Sequence, residues 1–104
     1  MAVNTTLLAR TSASTASATL YTQPSTSAIT VITNIAVTNT AATSSTFTLS
    51  IGGVAIQSGS SVPANSTAYL DLRQVIPASN PAKTVTGFAS TTAVNFHISG
   101  VEIV

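Results

Sequence analysis

The segment Thr46 to Ile51 (TFTLSI) alternates hydroxyl and large apolar side chains, and two glycines follow it directly. Successive side chains of a β-strand point to opposite faces of its sheet, so this period of two predicts a strand with one buried face. Gly52 and Gly53 readily adopt the positive φ values of a two-residue hairpin turn. We therefore expect Val54 to Gln57 to return antiparallel, with a loop over 58–61.

The same reasoning places strands elsewhere, because Ser, Thr and Val dominate the chain and strong helix formers are scarce. Further strands are predicted over 18–22, 29–37, 66–72, 84–89 and 93–104, with a long irregular connection over 77–82. About seven or eight short strands separated by regular turn signals are typical of an antiparallel β-sandwich, jelly-roll-like or Ig-like. The sequence thus predicts an all-β fold with a single antiparallel β-sandwich.

Two of these strands carry irregular apolar patterns. Over 29–37, the residues Ile29, Val31, Ile35 and Val37 share one parity and are predicted to be buried. Ile32 has the other parity, which indicates a bulge or cover from the N-terminal segment or a partner. In the last strand the apolar parity changes after Ile98, so a bulge is predicted near Ser99 and Gly100.

The length of 104 residues supports one hydrophobic core, so we expect one domain. Residues 18–104 are assigned to the β-sandwich. Residues 1–17 are low in complexity and have only Val3, Leu7 and Leu8 as apolar anchors. They are interpreted as an extended N-terminal arm, which either remains a tail or becomes ordered on a neighbouring subunit.

Charge is almost absent, with three basic and two acidic residues, and about a third of the chain is serine or threonine. Nucleic acid is therefore not an expected partner, because binding phosphates recruits several Lys or Arg residues. No apolar run approaches the roughly 20 residues of a membrane helix, and no secretory signal is recognised at the N-terminus. A net charge near zero favours association, so we expect an assembled state.

Residues for catalysis are also scarce. A hydrolytic triad would have to use His97 with Asp71 or Glu102, and the interpretation we prefer for His97 is a surface or interface imidazole. Neither a zinc or calcium ligand set nor a phosphate-binding loop is recognised. The chain is predicted not to be an enzyme and to use no cofactor.

Aromatic residues supply the remaining candidates for an interface, since they add large contact area at low entropic cost. Tyr21, Tyr69 and Phe88 are candidates for contacts with another subunit or a partner protein, alongside Val3, Leu7 and Leu8 of the arm. Core packing is the alternative for each aromatic residue. Two Thr-x-Thr pairs, Thr46/Thr48 and Thr84/Thr86, raise the further alternative of an ice-binding or glycan-binding face.

Four segments taken together resemble a group of small virion proteins of tailed bacteriophages. The matching segments are Leu20 to Pro24, Ile29 to Thr40, Ser45 to Ile51 and Ile98 to Ile103. The resemblance spans roughly residues 18–104 and consists of strand and turn residues. Ser25 to Ser27 stands where the group tends to have a glycine turn, and Pro77 to Pro81 replaces its usual Gly-Asp turn.

The resemblance implies a compact β-sandwich that works as a symmetric oligomer in the virion. On that basis we expect a capsid decoration (cement) protein, a homotrimer that binds the major capsid protein on the outer capsid surface and assembles in the host cytoplasm. The alternatives are a minor tail, baseplate or fibre module, or a carbohydrate-binding or adhesin module. In the last case Tyr21, Tyr69 and Phe88 would stack on sugars.

Overall fold

The computed structural model describes residues 3–25, 27–70, 73–78 and 83–104. Its described residues form nine strands and no helix, so none of them belongs to a helix that could cross a membrane. The strands are β1 (Val3–Ser12), β2 (Ala18–Thr22), β3 (Ile29–Asn39), β4 (Ser45–Ile51), β5 (Val54–Val62), β6 (Ser66–Leu70), β7 (Gln74–Ile76), β8 (Thr84–Ala89) and β9 (Val94–Ile103). The predicted all-β class is confirmed.

Two antiparallel sheets pack face to face, which confirms the predicted β-sandwich. The five-stranded sheet has the order β1-β9-β3-β6, with β7 beside β6 on the same edge of β3. The four-stranded sheet has the order β2-β8-β4-β5. The paired strands are nested in the sequence, so that each pair encloses the next: β1–β9, β2–β8, β3–β6 and β4–β5. This is the strand arrangement of a jelly roll.

The core lies between the inner faces of the two sheets. Phe47 of β4 and Phe96 of β9 meet edge to face with ring centroids 6.2 Å apart. Around them lie fully buried aliphatic residues from both sheets: Ile32, Ile35, Val37, Leu49, Val62, Val85, Val94 and Ile98. Asn39 is buried in the same layer, and its Nδ2 donates to the carbonyl oxygens of Thr43 and Val62 at 2.9 and 3.1 Å.

Most predicted strands coincide with observed ones, including the Gly52-Gly53 hairpin, whose glycines have φ values of 60° and 86°. The predicted loop over 58–61 is wrong, because β5 continues to Val62. Two register shifts against β4 keep β5 paired, and Gly59 at φ 60° donates its backbone N–H to Thr48 Oγ1. The short β7 was not predicted from the sequence. Asp71 and Leu72, at the end of predicted strand 66–72, lie outside the described residues.

The predicted bulge in β9 is wrong, and so is the predicted burial of Ile29 and Val31. Alternate residues of β9 face inward without interruption, and the register shifts lie in its two neighbours, at Leu8 of β1 and Thr33 of β3. The extra residue in β3 reverses the faces on either side of it. Ile32, Ile35 and Val37 are therefore buried on one face, while Ile29 and Val31 turn outward and are half-buried.

The N-terminal strand lies within the segment interpreted as an arm. Residues 3–12 pair antiparallel with β9 along its whole length, and Ala13 continues this pairing by donating its N–H to the carbonyl of Val94. Ser14 then accepts a hydrogen bond from the N–H of Ala89 in the four-stranded sheet. The described part of residues 1–17 is thus attached to both sheets, and the domain boundary at residue 17 stays a prediction.

Candidate functional site

An apolar surface covers one end of the outer face of the five-stranded sheet. The register aligns Val3, Ile103 and Ile29 in one row across β1, β9 and β3. The next row is Thr5, Val101, Val31 and Val75. Leu7 follows Thr5 on the same face of β1. We call these apolar side chains the apolar patch: Val3, Leu7, Ile29, Val31, Val75, Val101 and Ile103.

The patch is open to solvent at its rim. The exposed fractions are 66% for Val3, 45% for Leu7 and 53% for Val75, whereas the central residues of the patch are half-buried among their neighbours. None of these side chains is charged. Contiguous exposed apolar surface is uncommon on isolated proteins and marks sites of protein contact.

The inner face at the same end carries a cluster of polar side chains beside the buried Ile76. Between the outward residues of β3 and β9 lie Thr30 and Glu102, which point inward toward β2. Tyr21 of β2 donates its hydroxyl proton to Glu102 Oε2 at 2.5 Å, and its oxygen lies 2.9 Å from Thr30 Oγ1. Burial, followed by the hydrogen bond to Glu102, raises the pKa of Tyr21 to about 12. The usual arrangement, with apolar residues inside and polar residues outside, is thus largely reversed in β3 and β9 at this end, while Ile76 of β7 remains buried.

Gln23 extends the polar cluster to the edge of the five-stranded sheet. Its side-chain amide donates to the carbonyl oxygens of Ala28 at 3.2 Å and of Ile76 at 2.8 Å. Its Nε2 also lies 3.1 Å from Thr30 Oγ1, while its Oε1 has no hydrogen-bond partner among the described residues. Hydrogen bonds thus join the two sheets beneath the apolar patch and fix the strands that carry it. They are made by the side chains of Tyr21, Gln23, Thr30 and Glu102.

The other end of the same outer face is polar. An open depression of about 350 Å³ is lined by Arg10, Thr11, Ser12, Asn95 and His97. Arg10 lies opposite His97, and Ser12 donates to Asn95 Oδ1 at 2.9 Å. These lining residues include a hydroxyl, an imidazole and a guanidinium but no carboxylate that would orient the imidazole as a general base. Within the described part of the chain, no group of three potential metal ligands occurs either.

The structure brings together only some of the predicted interface residues. Val3 and Leu7 both lie on the patch, on the outer face of β1 and separated there by Thr5. Leu8, the extra residue of β1, turns inward and packs against the core beside Gly100. Tyr21 is 9% exposed, so it presents little surface to a partner.

The two remaining aromatic residues lie on opposite sides of the molecule. Tyr69 is 73% exposed on the outer face of β6, beside Ala36. Phe88 is half-buried on the outer face of the four-stranded sheet, opposite Thr48 and among the Thr-x-Thr pairs. Tyr21, Tyr69 and Phe88 therefore do not form one stacking platform.

The sequence pattern does not identify most residues of the patch. The parity that Ile29 and Val31 share with Ile35 predicts that they lie in the core. Val101 and Ile103 carried a usable signal, because their parity differs from that of Phe96 and Ile98. That signal was interpreted as a bulge, whereas it marks apolar residues that face outward on a regular strand.

No protein-family model matches this chain, and the search of curated proteins gives no significant match.

Proposed function

We propose that this protein is a structural subunit of a bacteriophage virion, a capsid decoration protein that binds the lattice of the major capsid protein. The observation that carries the proposal is the reversed end of the sandwich, with the apolar patch outside and the Tyr21–Glu102 cluster inside. At this end valine and isoleucine face solvent, while threonine and glutamate face inward. We expect this arrangement in a protein that has a partner on that face.

The patch offers enough apolar surface for a modest contact. Covering the exposed parts of Val3, Leu7 and Val75 contributes on the order of 1 kcal/mol each, so about 3 kcal/mol together. A single contact of that size is weak, since micromolar affinity corresponds to about 8 kcal/mol. A symmetric oligomer that touches several capsid subunits adds such contacts at high effective concentration, which suits a decoration protein on a lattice.

The charge pattern also favours a protein partner. The chain has five charged residues, and none of them belongs to the patch. Covering the patch therefore avoids the desolvation cost that charged groups add at the centre of an interface. The jelly-roll arrangement is common among viral capsid proteins, and this fold-level analogy agrees with the proposal without identifying a partner. The same arrangement occurs in lectins, so a glycan-binding module is the alternative from another class.

The proposed mechanism is mass action on the assembled capsid and involves no reaction or cofactor. A ligand that binds only the expanded lattice stabilises it by RT ln(1 + [L]/Kd) per site. Decorated capsids would then resist heat better than bare capsids, in proportion to occupancy. The resemblance implies a trimer, but this mechanism requires only a symmetric oligomer and does not depend on the number of its copies.

A charge placed in the patch tests the proposal. Val75→Lys introduces an ammonium group at a position 53% exposed, where the fold itself tolerates it, and Val54→Lys does the same at a 70% exposed position on the other sheet. We expect Val75→Lys to lower occupancy on capsids of the encoding phage at least tenfold, and Val54→Lys to bind as the wild type does. Occupancy is measured by sedimenting capsids with each purified variant.

Equal occupancy of the two lysine variants would refute the assignment of the patch. Antibody labelling of complete virions tests the location separately, because signal on the tail alone would favour a tail or fibre module. Binding of sugars on a glycan array, together with no capsid binding, would favour the carbohydrate-binding alternative.

A further inference from the structure

The described strands leave four sheet edges, and these differ in how well they resist pairing with another strand. Strand β2 has five residues and ends just before Gln23 and Pro24, and the edge formed by β6 and β7 is divided between strands of five and three residues. Strand β5 is interrupted by two register shifts and by Gly59. Short strands, proline and bulges are the usual protections of a sheet edge.

Strand β1 lacks most of these protections. It has ten residues, contains no proline or lysine, and pairs with β9 on one side, with no strand among the described residues on the other. Its only irregularity is the bulge at Leu8, which leaves Val3 to Leu7 as a regular run of five residues. The backbone groups on the outer side of that run form a template for another strand.

We propose that residues 3–7 of β1 pair antiparallel with the same residues of a second copy, about a two-fold axis through Thr5. In this register Val3 lies opposite Leu7 of the second copy, and Asn4 lies opposite Thr6. Directly opposite residues of an antiparallel pair share a face, so the two most exposed apolar side chains of β1 cover each other.

Charge is compatible with this register. Arg10 is the only charged residue of β1, and it lies beyond the bulge at Leu8, outside the paired run. No like charges are brought together, and the net charge of +1 produces little repulsion between copies. A self-complementary two-fold contact is also the commonest form of homo-oligomer.

The pairing joins the two five-stranded sheets into one continuous sheet. Because the two-fold axis is perpendicular to that sheet, both outer faces lie on the same side, and the two apolar patches meet along the dimer axis. The pairing doubles the apolar surface offered to a capsid, and only this benefit rests on the proposed function. The resulting assembly has two-fold symmetry, in contrast to the trimer implied by the resemblance.

The chain contains no cysteine, so a single introduced thiol gives an unambiguous cross-link. In Thr5→Cys the two sulfur atoms come from residues directly opposite across the axis, where Cα atoms about 4.5–5.5 Å apart permit a disulfide. Thr11→Cys is the matched control, since Thr11 is an exposed threonine of the same strand but lies beyond the paired run.

The experiment is mild oxidation of the isolated protein followed by non-reducing electrophoresis. We expect most of Thr5→Cys to run as a covalent dimer, with at least a tenfold lower dimer yield for Thr11→Cys. Equal yields for the two variants would overturn the proposed register. Capsids are absent from this assay, so its failure is distinguishable from failure of the capsid-binding proposal.

A second measurement does not depend on the cysteine variants. Wild-type protein is expected to show a mass of 20.8 kDa by light scattering, twice the chain mass of 10.4 kDa. The double variant Val3→Lys/Leu7→Lys should return the mass to that of one chain while keeping the far-ultraviolet circular dichroism of the wild type. A wild-type monomer, or a wild-type trimer, would overturn the inference.

Discussion

The close approach of β1, β9 and β3 at Gly100 makes this residue a sensitive test of the structure. A Cβ atom on Gly100 would overlap the carbonyl oxygen of Val31, and it would lie 3.1 Å from Cα of Ile32 and 3.0 Å from Cδ1 of Leu8. Two of these three neighbours are backbone atoms of β3, which cannot rotate away as a side chain can. Gly100→Ala therefore requires β3 and β9 to separate, at the point where the bulges at Leu8 and Thr33 set the register.

The expected loss in the free energy of unfolding of Gly100→Ala follows from its clash with the backbone of β3. Forcing one extra methyl group into a packed interior typically costs 1–3 kcal/mol, and a backbone clash belongs at the upper end, so we expect about 3 kcal/mol. Gly59→Ala is the comparison, because a Cβ there meets nothing within 4 Å but the backbone has φ +60°. An L-residue in that conformation costs about 1–2 kcal/mol. Gly100→Ala should thus lose more stability than Gly59→Ala.

Urea unfolding followed by far-ultraviolet circular dichroism measures both variants. The midpoint should fall in the order wild type, Gly59→Ala, Gly100→Ala, with the slope m unchanged. The total stability of such a domain is about 5–15 kcal/mol, so a loss of 3 kcal/mol is readily resolved. If Gly100→Ala unfolds within 0.5 kcal/mol of the wild type, or after Gly59→Ala, the placement of β9 between two bulged strands is refuted.

Two further predictions concern buried polar groups. Below pH 10 Tyr21 is protonated in both the folded and unfolded states, but its pKa rises from 10.0 to about 12 on folding, so between these values only the unfolded chain ionises. Stability should fall by roughly 3 kcal/mol at most as pH rises from 10 to 12, and Tyr21→Phe should lack this part of the fall, as thermal unfolding across that range can check. Asn39→Ala removes the donor to the carbonyl oxygens of Thr43 and Val62 inside the core, which should cost about 2–4 kcal/mol in urea unfolding. An Asn39→Ala loss below 1 kcal/mol would contradict the role given to that amide.

The positions of most strands could be predicted from the sequence, because a strand's alternation of side chains is a local property. The run from Thr46 to Ile51 and its Gly52-Gly53 turn contain, within about eight residues, everything needed to predict a hairpin with one buried face. The all-β class follows for the same reason, since hydroxyl-bearing and β-branched residues disfavour helix at almost every position.

The candidate site could not be predicted in this way. Which face of a strand is buried depends on residues that bulge. The parity of Ile32 indicated a bulge in β3 as one of two alternatives, and the structure confirms the bulge, but nothing in the local sequence placed it at Thr33. One extra residue there turns Ile29 and Val31 outward and Thr30 inward, which creates the apolar patch and the polar cluster beneath it. The outcome depends on β9, more than 60 residues away in the sequence, and on the tight approach of its Gly100 to β3.

The sequence by itself determined that the chain forms antiparallel strands, where most of them lie, and that it carries few ionic groups. Only the tertiary structure decided which residues of β3 and β9 face outward at the apolar patch, that β1 is a long edge, and that apolar side chains gather on one outer face. The physical reason is that side-chain alternation is encoded between neighbouring residues, whereas register and bulges are set by contacts between strands distant in the sequence.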